Sequence, residues 1–421
     1  MANPQVLSDL EDFLAEDGRG VIHQQAGFVQ NTLAFSLPME EDYDVPPASK
    51  RLARPIALKK GQGAQTRVNV IYGGAGSFGT YDDNGARPEG TGIAVAGANK
   101  QPVLVGDTLK FSLSEIELAN GSDDQTIDKF IATAKAHGSL VGATLARSCI
   151  NPQVDEPAAD VTVGATTMTV EVVNGYNVGG MYEVRVDATG ALVGRFRVAD
   201  ISIAFDLTAV ITFESALTFT IDVSAQSIWL NGQGDSTKRI GSIADATDST
   251  VALYGLLEAT EFPAGLSTSV GGAFSNADAK RLDSIVVSQG NVPSHWLTSP
   301  HGRDKMLNAQ QDNVRFISGD SKHKYDPFND SAVPEFNGHP VIACPQADDT
   351  TIDLGDFDMV EFREHVPYGP RQIMGGGKSE MGRGALLESE DSFSYKVRMH
   401  GFYALVLTKR RAFGRLTNVT S

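Results

Sequence analysis

A glycine-rich segment at residues 68–79, "VNVIYGGAGSFG", is the first candidate for chemistry in this chain. Gly74, Gly76 and Gly79 follow an alternating apolar strand at the spacing of a dinucleotide-binding turn. In such a turn the glycines let the backbone approach a pyrophosphate, which is held at the N-terminus of the next helix. The site also requires an acidic residue about 20 residues further on, to bind the ribose.

The residues that follow do not supply these parts. The stretch "TYDDNGARPEGTG" (80–92) contains Asn84-Gly85 and Pro88, which are incompatible with the start of a regular helix, and no acidic residue lies between Glu89 and Asp107. The segment therefore predicts the flexible tip of a hairpin and not a nucleotide site.

A second glycine-rich segment, "QIMGGGKSE" (372–380), imitates a phosphate-binding loop. The pattern G-x-x-x-x-G-K-[ST] requires glycine where this chain has Gln372, and "MGRGALLE" after it is a poor start for a helix. A mobile surface loop is the better interpretation.

Nucleophilic and metal chemistry have little support. Ser299, His301 and Asp304 lie too close in sequence to converge from separate elements as a catalytic triad does, and they are typical of a strand end followed by a helix cap. Cys149 and Cys344 match no metal or disulfide spacing. The sequence thus predicts no catalytic, cofactor-binding or metal-binding residue.

The charge balance argues against a surface that wraps nucleic acid. The 35 Lys and Arg against 52 Asp and Glu give a formal net charge of −17, whereas affinity for phosphates comes from clustered cations. The exception is a C-terminal group of basic residues, Lys409, Arg410, Arg411 and Arg415, which predicts a solvated face, with nucleic-acid contact as the alternative.

The N-terminus and the hydropathy pattern exclude two further classes of protein. The acidic N-terminus lacks the features of a secretory signal. No run approaches the ~18 apolar residues of a transmembrane helix.

The elements that would position these residues begin with a short amphipathic helix within residues 6–14 and a proline-containing extended arm at 24–60. Two strands, 67–72 and 102–118, flank a glycine-rich stretch at 73–100 and predict a long two-stranded projection.

A long helix is expected from residue 123 to about residue 149, ended by Asn151-Pro152. Between 153 and 236 the pattern is almost purely strand-like, which predicts a small all-β domain inserted into a host fold.

The host resumes with a helix that begins after Ser275 and ends at Gly290. Strand 295–298, a helix after Pro300 and strand 314–317 follow. The chain is expected to close with a tight pair of strands, 392–399 and 402–413, separated by His400-Gly401.

This order of elements resembles the major capsid protein of tailed bacteriophages, the Hong Kong 97 type fold. The resemblance lies in the arm, the hairpin Arg67–Leu118, the helix Asp123–Cys149, the run "SHWLTSPHGRDKMLN", the pair "FNGHPVIACPQ" and "DLGDFDMV", and the closing strands ending "RRAFGRL".

The resemblance implies an α+β fold. Its parts would be an N-terminal helix and extended arm (1–66), an E-loop hairpin (67–118), a spine helix of the peripheral domain (119–152), an inserted all-β domain (153–236), the rest of the peripheral domain (237–333), an axial domain (334–385) and closing peripheral strands (386–421). The expected subunit contacts are Phe78, Tyr81, Arg87, Lys100, Arg371 and Lys378.

It also implies a function as a structural shell protein that assembles into hexamers and pentamers of an icosahedral phage head around double-stranded DNA. The expected partners are copies of the chain itself, separate scaffolding, portal and decoration proteins, and packaged DNA bound without sequence specificity. No membrane partner and no cofactor are expected, and the expected location is the virion, after assembly in the host cytoplasm.

Two alternatives stay open. An encapsulin-like compartment shell would share the fold but is usually built from a shorter chain without such an insertion. A nucleotide-using enzyme with an inserted β-domain would need the helix that is missing after Gly79.

Overall fold

The structure is a computed structural model. It describes residues 57–60, 66–71, 95–112, 140–141, 144–171, 175–204, 208–235, 239–248, 266–311, 335–344, 346–370, 386–389 and 392–420. The predicted N-terminal helix, most of the arm, the start of the long helix and strand 314–317 lie outside these residues.

The described strands, in chain order, are β1 (Ala57–Lys60), β2 (Thr66–Ile71), β3 (Val95–Lys100), β4 (Val103–Ser112), β5 (Thr167–Val170), β6 (Met181–Val186), β7 (Leu192–Ile203), β8 (Ala209–Phe213), β9 (Gln226–Leu230), β10 (Ser267–Ala273), β11 (His295–Thr298), β12 (Glu335–Phe336), β13 (His339–Ala343), β14 (Ile352–Gly355), β15 (Val360–Pro370), β16 (Leu386–Ser389), β17 (Ser392–Leu407) and β18 (Phe413–Thr420). The described helices are α1 (140–141 and 144–150), α2 (Ile243–Thr247), α3 (Asn276–Ser288) and α4 (Pro300–Gln311). This content confirms the α+β class.

The first sheet is built around β17. Strand β4 pairs with one side of β17, and β15 and β16 pair with successive stretches of its other side, while β1 adds to β15 as a parallel strand. Because β17 runs without a break through His400-Gly401, the expected tight pair of closing strands is wrong. A glycine in an extended conformation can stay within a strand. Here β17 is hydrogen-bonded to a neighbouring strand on each side, and this pairing outweighs the tendency of His400-Gly401 to form a turn.

The predicted projection also pairs differently from the expectation. Strand β2 pairs in antiparallel register with β3, and β4 belongs to the sheet of β17. The 67–72 strand therefore does not pair with the 102–118 strand. Residues 95–100, which were expected within an unpaired glycine-rich stretch, form the partner strand.

The second sheet has six strands in the order β10-β18-β14-β11-β13-β12. Helices α3 and α4 pack on it, and its core contains Trp296, Leu354 and Leu416. Helix α3 begins where Ser275 accepts a hydrogen bond from the Asp278 backbone, which confirms the predicted N-cap.

The third sheet, β5-β8-β7-β6-β9, lies within the strand-like stretch 153–236 and has a core of its own. Its alternating patterns, such as buried Met168 and Val170 between exposed threonines in β5, place one face inward.

The segment that leads into the third sheet covers both of its edges. The Val154 N–H donates to Ile228 O at the β9 edge, and the Ala158 N–H donates to Thr169 O at the β5 edge. The sheet is thereby closed on itself, and its edges are protected from pairing with other strands.

Candidate functional site

The serine, histidine and aspartate considered for a triad serve a structural purpose. Ser299 is buried, and its Oγ accepts a hydrogen bond from the Gly302 N–H at the start of α4. The Arg303 side chain lies 3.5 Å from the carboxylate of Asp304, its neighbour in sequence. This arrangement confirms the interpretation as a strand end and a helix cap.

The two cysteines are buried thiols. Burial raises the pKa of Cys149 far above its usual value, and burial raises the pKa of Cys344 to about 11. Since the thiolate is the nucleophile, neither group is activated.

Metal binding and membrane crossing find no support in the described part of the chain. No group of three or more His, Cys, Asp or Glu side chains there could hold a metal ion. None of the helices described is long and apolar enough to cross a membrane. Both glycine-rich segments considered for nucleotide binding lie outside the described residues.

The charged side chain at the end of α1 joins three parts of the molecule. Arg147 is almost fully buried and donates from Nη2 to Gln153 O (2.6 Å) and from Nη1 to Gln346 O (3.0 Å). Its guanidinium also pairs with the carboxylate of Asp348, which accepts a second hydrogen bond from Asn151 Nδ2. The helix end, the start of the inserted sheet and the loop after β13 therefore share one buried ionic joint.

The inserted unit is shaped to fit this joint. Gly175 has φ +80°, and a Cβ there would lie 2.8 Å from Val154 Cγ1 and 3.0 Å from Arg147 Nε. Only glycine allows the backbone to approach this closely.

Two of the C-terminal arginines are buried, so the expectation of a solvated basic face is wrong for them. Arg415 faces Asp353 across the β14–β18 pair and donates from Nε (2.6 Å) and Nη2 (2.8 Å) to its carboxylate. Burial, the largest single influence, lowers the pKa of Arg415, but the charge and hydrogen bonds of Asp353, together with the charges of Asp348 and Asp248, outweigh burial and raise this pKa. Arg410 donates from Nε to Ala246 O (2.9 Å) at the end of α2. These two guanidinium groups are already engaged within the chain, which counts against their use for phosphate contact.

Lys100 is the one predicted subunit-contact residue that the structure describes. Its Nζ donates to Arg239 O (2.8 Å), in the segment that returns from the inserted unit. Burial lowers the pKa of Lys100, opposed by the nearby Asp245. Phe78, Tyr81, Arg87, Arg371 and Lys378 lie outside the described residues, so their role in subunit contacts stays a prediction.

The return segment is fixed by a second arginine. The Arg239 guanidinium lies 4.3 Å from the centre of the Trp229 ring and pairs with Asp245 at 2.9 Å. Both ends of the inserted unit are thus anchored to the host by buried or half-buried charges.

Next to these anchors lies a cleft of about 730 Å³, bounded by β4, α1 and the β6 end of the inserted sheet. Val103, Leu104, Val141, Met181 and Leu230 line it. Leu104 and Met181 expose 57% and 38% of their surface, so the mouth of the cleft is apolar. We call this feature the junction cleft.

Sequence reasoning missed the joint at Arg147. The available signal was a single arginine in the otherwise uncharged run "VGATLARSCI" (141–150), directly before the Asn-Pro stop. A charge in an apolar helix end requires a partner, but the partner, Asp348, lies about two hundred positions away in sequence, and one chain gives no means of finding it.

Comparisons with known proteins return shell proteins among the solved structures. No protein-family model matches the chain, and no curated protein matches it. The cyanophage A-1(L) capsid asymmetric unit matches with 11% identity and a TM-score of 0.47, covering 91% of this chain and 95% of that chain.

Two further matches are of the same kind. The capsid of the native GTA particle has 10% identity and a TM-score of 0.44 and covers 88% of this chain and 89% of that one. The holo-SrpI encapsulin complex from Synechococcus elongatus PCC 7942 has 11% identity and a TM-score of 0.38, with 89% of each chain covered. At such low identities and TM-scores, the functional proposal depends on the chain's own elements.

Proposed function

We propose that this protein is a structural shell subunit that assembles with copies of itself into a closed icosahedral particle, and that it has no catalytic role. The observation that carries the proposal is the order of its elements. An arm strand, a two-stranded ribbon, a helix ending at Ile150 and two host sheets follow one another in the order expected of the Hong Kong 97 type fold, and the inserted sheet is an addition to that order, like the β-domains that some of these shells carry.

The use of charged groups supports this proposal. In the described residues, the buried arginines Arg147, Arg410 and Arg415 connect distant elements of the chain. An enzyme site would instead gather ionisable groups in a cavity with perturbed pKa values. The buried charges described here connect distant elements of one subunit, which suits a structural protein.

A phage head containing double-stranded DNA is the finer proposal, with hexamers and pentamers as its capsomers and separate scaffolding, portal and decoration proteins as partners. The formal net charge of −17 is compatible with an inner wall that holds packaged DNA only weakly. The inserted closed sheet favours this proposal over an encapsulin-like compartment, whose chains are usually shorter.

Particles can be purified from cells that produce the chain together with its scaffolding and portal proteins. The contents of these particles, DNA or protein, separate the two proposals. A phage head is expected to contain nuclease-protected DNA after packaging. Particles filled with one enriched enzyme would favour the encapsulin-like compartment, and a chain that stays monomeric under all conditions would contradict both.

A further inference from the structure

The charges of the inserted unit are unevenly distributed. Residues 152–235 contain eleven acidic residues, three arginines and no lysine. The three arginines, Arg185, Arg195 and Arg197, all lie on the neighbouring strands β6 and β7. A strongly acidic unit therefore carries a single basic surface.

These arginines share the face of the sheet that points away from its core. Arg195 lies opposite Glu183 in the β6–β7 pair, and Arg197 lies opposite Met181. Residues directly opposite each other in an antiparallel pair lie on one face, and so do residues two apart in a strand, such as Glu183 and Arg185. The fully buried Glu183 carboxylate holds Arg185 at 2.9 Å and lies 3.7 Å from Arg195. The side chains of Arg195 and Arg197 are half exposed, and we call this surface the arginine face.

Four carboxylates gather at the end of the inserted sheet where β6 ends and β9 begins. Asp160 accepts a hydrogen bond from the Val223 N–H (3.0 Å), directly after Asp222 in sequence. The Asp187 N–H donates to the backbone of the same turn (3.0 Å). Burial and then the charge of Asp187 raise the pKa of Glu156, which places Glu156 beside Asp187. We call Glu156, Asp160, Asp187 and Asp222 the acidic end.

The acidic end has no basic partner within the part of the chain that the structure describes. No ion pair there joins any of its four carboxylates to a Lys, Arg or His side chain. The described carboxylates also form no group that could hold a metal ion. Basic side chains of another molecule would relieve the repulsion among these like charges.

The geometry prevents Arg197 from reaching Asp187 of its own chain. Arg197 lies opposite Met181, and Asp187 follows six positions after Met181. At about 3.3 Å per residue, this separation is roughly 20 Å, more than an arginine side chain can span. It is fixed, because β6 is paired with β7 on one side and with β9 on the other. A contact between Arg197 and Asp187 must therefore join two copies.

A carboxylate surface suits the arginine face better than DNA does. Arg195 and Arg197 each lie 3.7 Å from a carboxylate of their own unit, Glu183 and Glu214, so their charge is partly neutralised. The excess of acidic residues in the unit opposes the dense negative charge of a phosphate backbone.

We propose that the arginine face of one copy binds the acidic end of the inserted unit in a neighbouring copy. The contact joins two different surfaces, so it is heterologous and can close a ring of subunits. The inference rests on the shell function proposed above and deepens it by assigning a contact to the inserted unit.

The test is an exchange of charges in the full-length chain. Arg197→Glu and Asp187→Arg each place like charges across the contact, and the double variant restores opposite charges. The control double variant combines Arg197→Glu with Asp304→Arg, because Asp304 is exposed at 58% on helix α4 of the host. The two double variants have the same net charge and share any local effect of Arg197→Glu beside Glu214.

The measurement is the chain concentration at which half of the chains sediment as shells, with electron microscopy of the same samples. Each single variant should raise this concentration at least about tenfold, because like charges across an interface strongly disfavour it. The exchanged double variant should return to within about threefold of the wild type. The control double variant should assemble as poorly as Arg197→Glu alone.

Several results would overturn the contact. One is assembly of both single variants at the wild-type concentration, and another is equal assembly of the two double variants. Loss of DNA binding by Arg197→Glu with unchanged assembly would make the arginine face a DNA contact instead. In all three cases the wild type forms shells and the shell function stands. A wild type that forms no shells under any condition would refute the shell function and this contact together.

Discussion

At the scale of single residues, this chain uses its buried charges as joints. Arg147 contacts the backbone of the inserted unit and the carboxylate of Asp348 at once. A buried ion pair is weak evidence for net stability, because its desolvation is costly, but removal of one partner leaves an unpaired buried charge. Replacing one of the two residues should therefore destabilise the fold, because the other residue keeps its charge without a partner.

We predict that Arg147→Met lowers the free energy of unfolding by about 3–5 kcal/mol, the range for a broken buried ion pair. The shift of the urea unfolding midpoint, followed by circular dichroism, measures this loss. Arg303→Met is the matched control, because its pair with Asp304 is half exposed and should contribute about 1 kcal/mol or less. Similar shifts for the two variants would refute the role of Arg147.

Lys100 gives a prediction about pH. Burial lowers the pKa of its ammonium below the usual 10.5, so the unfolded chain binds this proton more tightly than the folded chain does. Stability should therefore rise as the pH increases through the lowered pKa toward 10.5, and this contribution is lost as the pH falls.

Lys100→Met removes the titrating group from this position. The difference in urea midpoint, wild type minus variant, should grow as the pH is raised from neutral to about 10. Parallel pH profiles for the two proteins would show that Lys100 is not buried in the native state.

The sequence predicted the roles of residues that act locally, but not the roles of residues with distant partners. The Ser275 cap and the Ser299 cap follow from contacts within three residues, which local patterns encode. The burial of Arg410 and Arg415 does not, since their partners lie 164 and 62 positions away. A row of basic residues on a strand has the same local pattern whether it faces solvent or a carboxylate.

At the scale of elements, the inserted sheet is the most self-contained part of the chain. Its leading segment and its last strand are neighbours, because the Leu230 N–H donates to Pro152 O (3.0 Å). Its core, which includes Tyr182, Phe196 and Ile228, is separate from the two host cores. Adjacent ends and an independent core are the properties of an insertable domain.

We predict that residues 152–235 fold when produced alone. A dispersed amide spectrum by NMR and a cooperative thermal transition would show this, with a stability of about 5 kcal/mol, as is typical of small domains. Val184→Asp, which places a charge in the core, is the control and should abolish the transition. An unfolded wild-type fragment would contradict the assignment of this stretch as an independent unit.

The existence and type of several elements were predictable from local sequence patterns. The end of the long helix at Ile150, strand β11 and helix α3 agree with the expectations. Strand pairing was harder to predict. Strand β2 pairs with β3, and β17 continues through His400-Gly401, both against the expectation. The pairing of strands depends on contacts between residues that are distant in sequence, so the residues next to a glycine do not determine it.

At the scale of the whole molecule, the described residues form two large host sheets, the two-stranded pair β2-β3 and the inserted sheet, with anchors at Arg147 and Arg239. The host sheets are joined by segments that pass from one to the other, such as the turn between β17 and β18. This arrangement leaves the junction cleft open at the surface of the subunit.

The formal net charge of −17 also belongs to this scale. Like charges on neighbouring subunits repel over roughly 10 Å at an ionic strength near 0.1 M. Assembly through apolar surfaces should then become easier as salt screens the repulsion.

The shell function is tested by electron microscopy of the purified chain, alone and with a separate scaffolding protein, at low and high salt. Closed shells of uniform diameter are expected. A variant in which residues 73–94 are replaced by a short glycine–serine turn should stay folded but fail to form them. A wild-type chain that remains a monomer in all these conditions and binds a nucleotide would contradict the shell function.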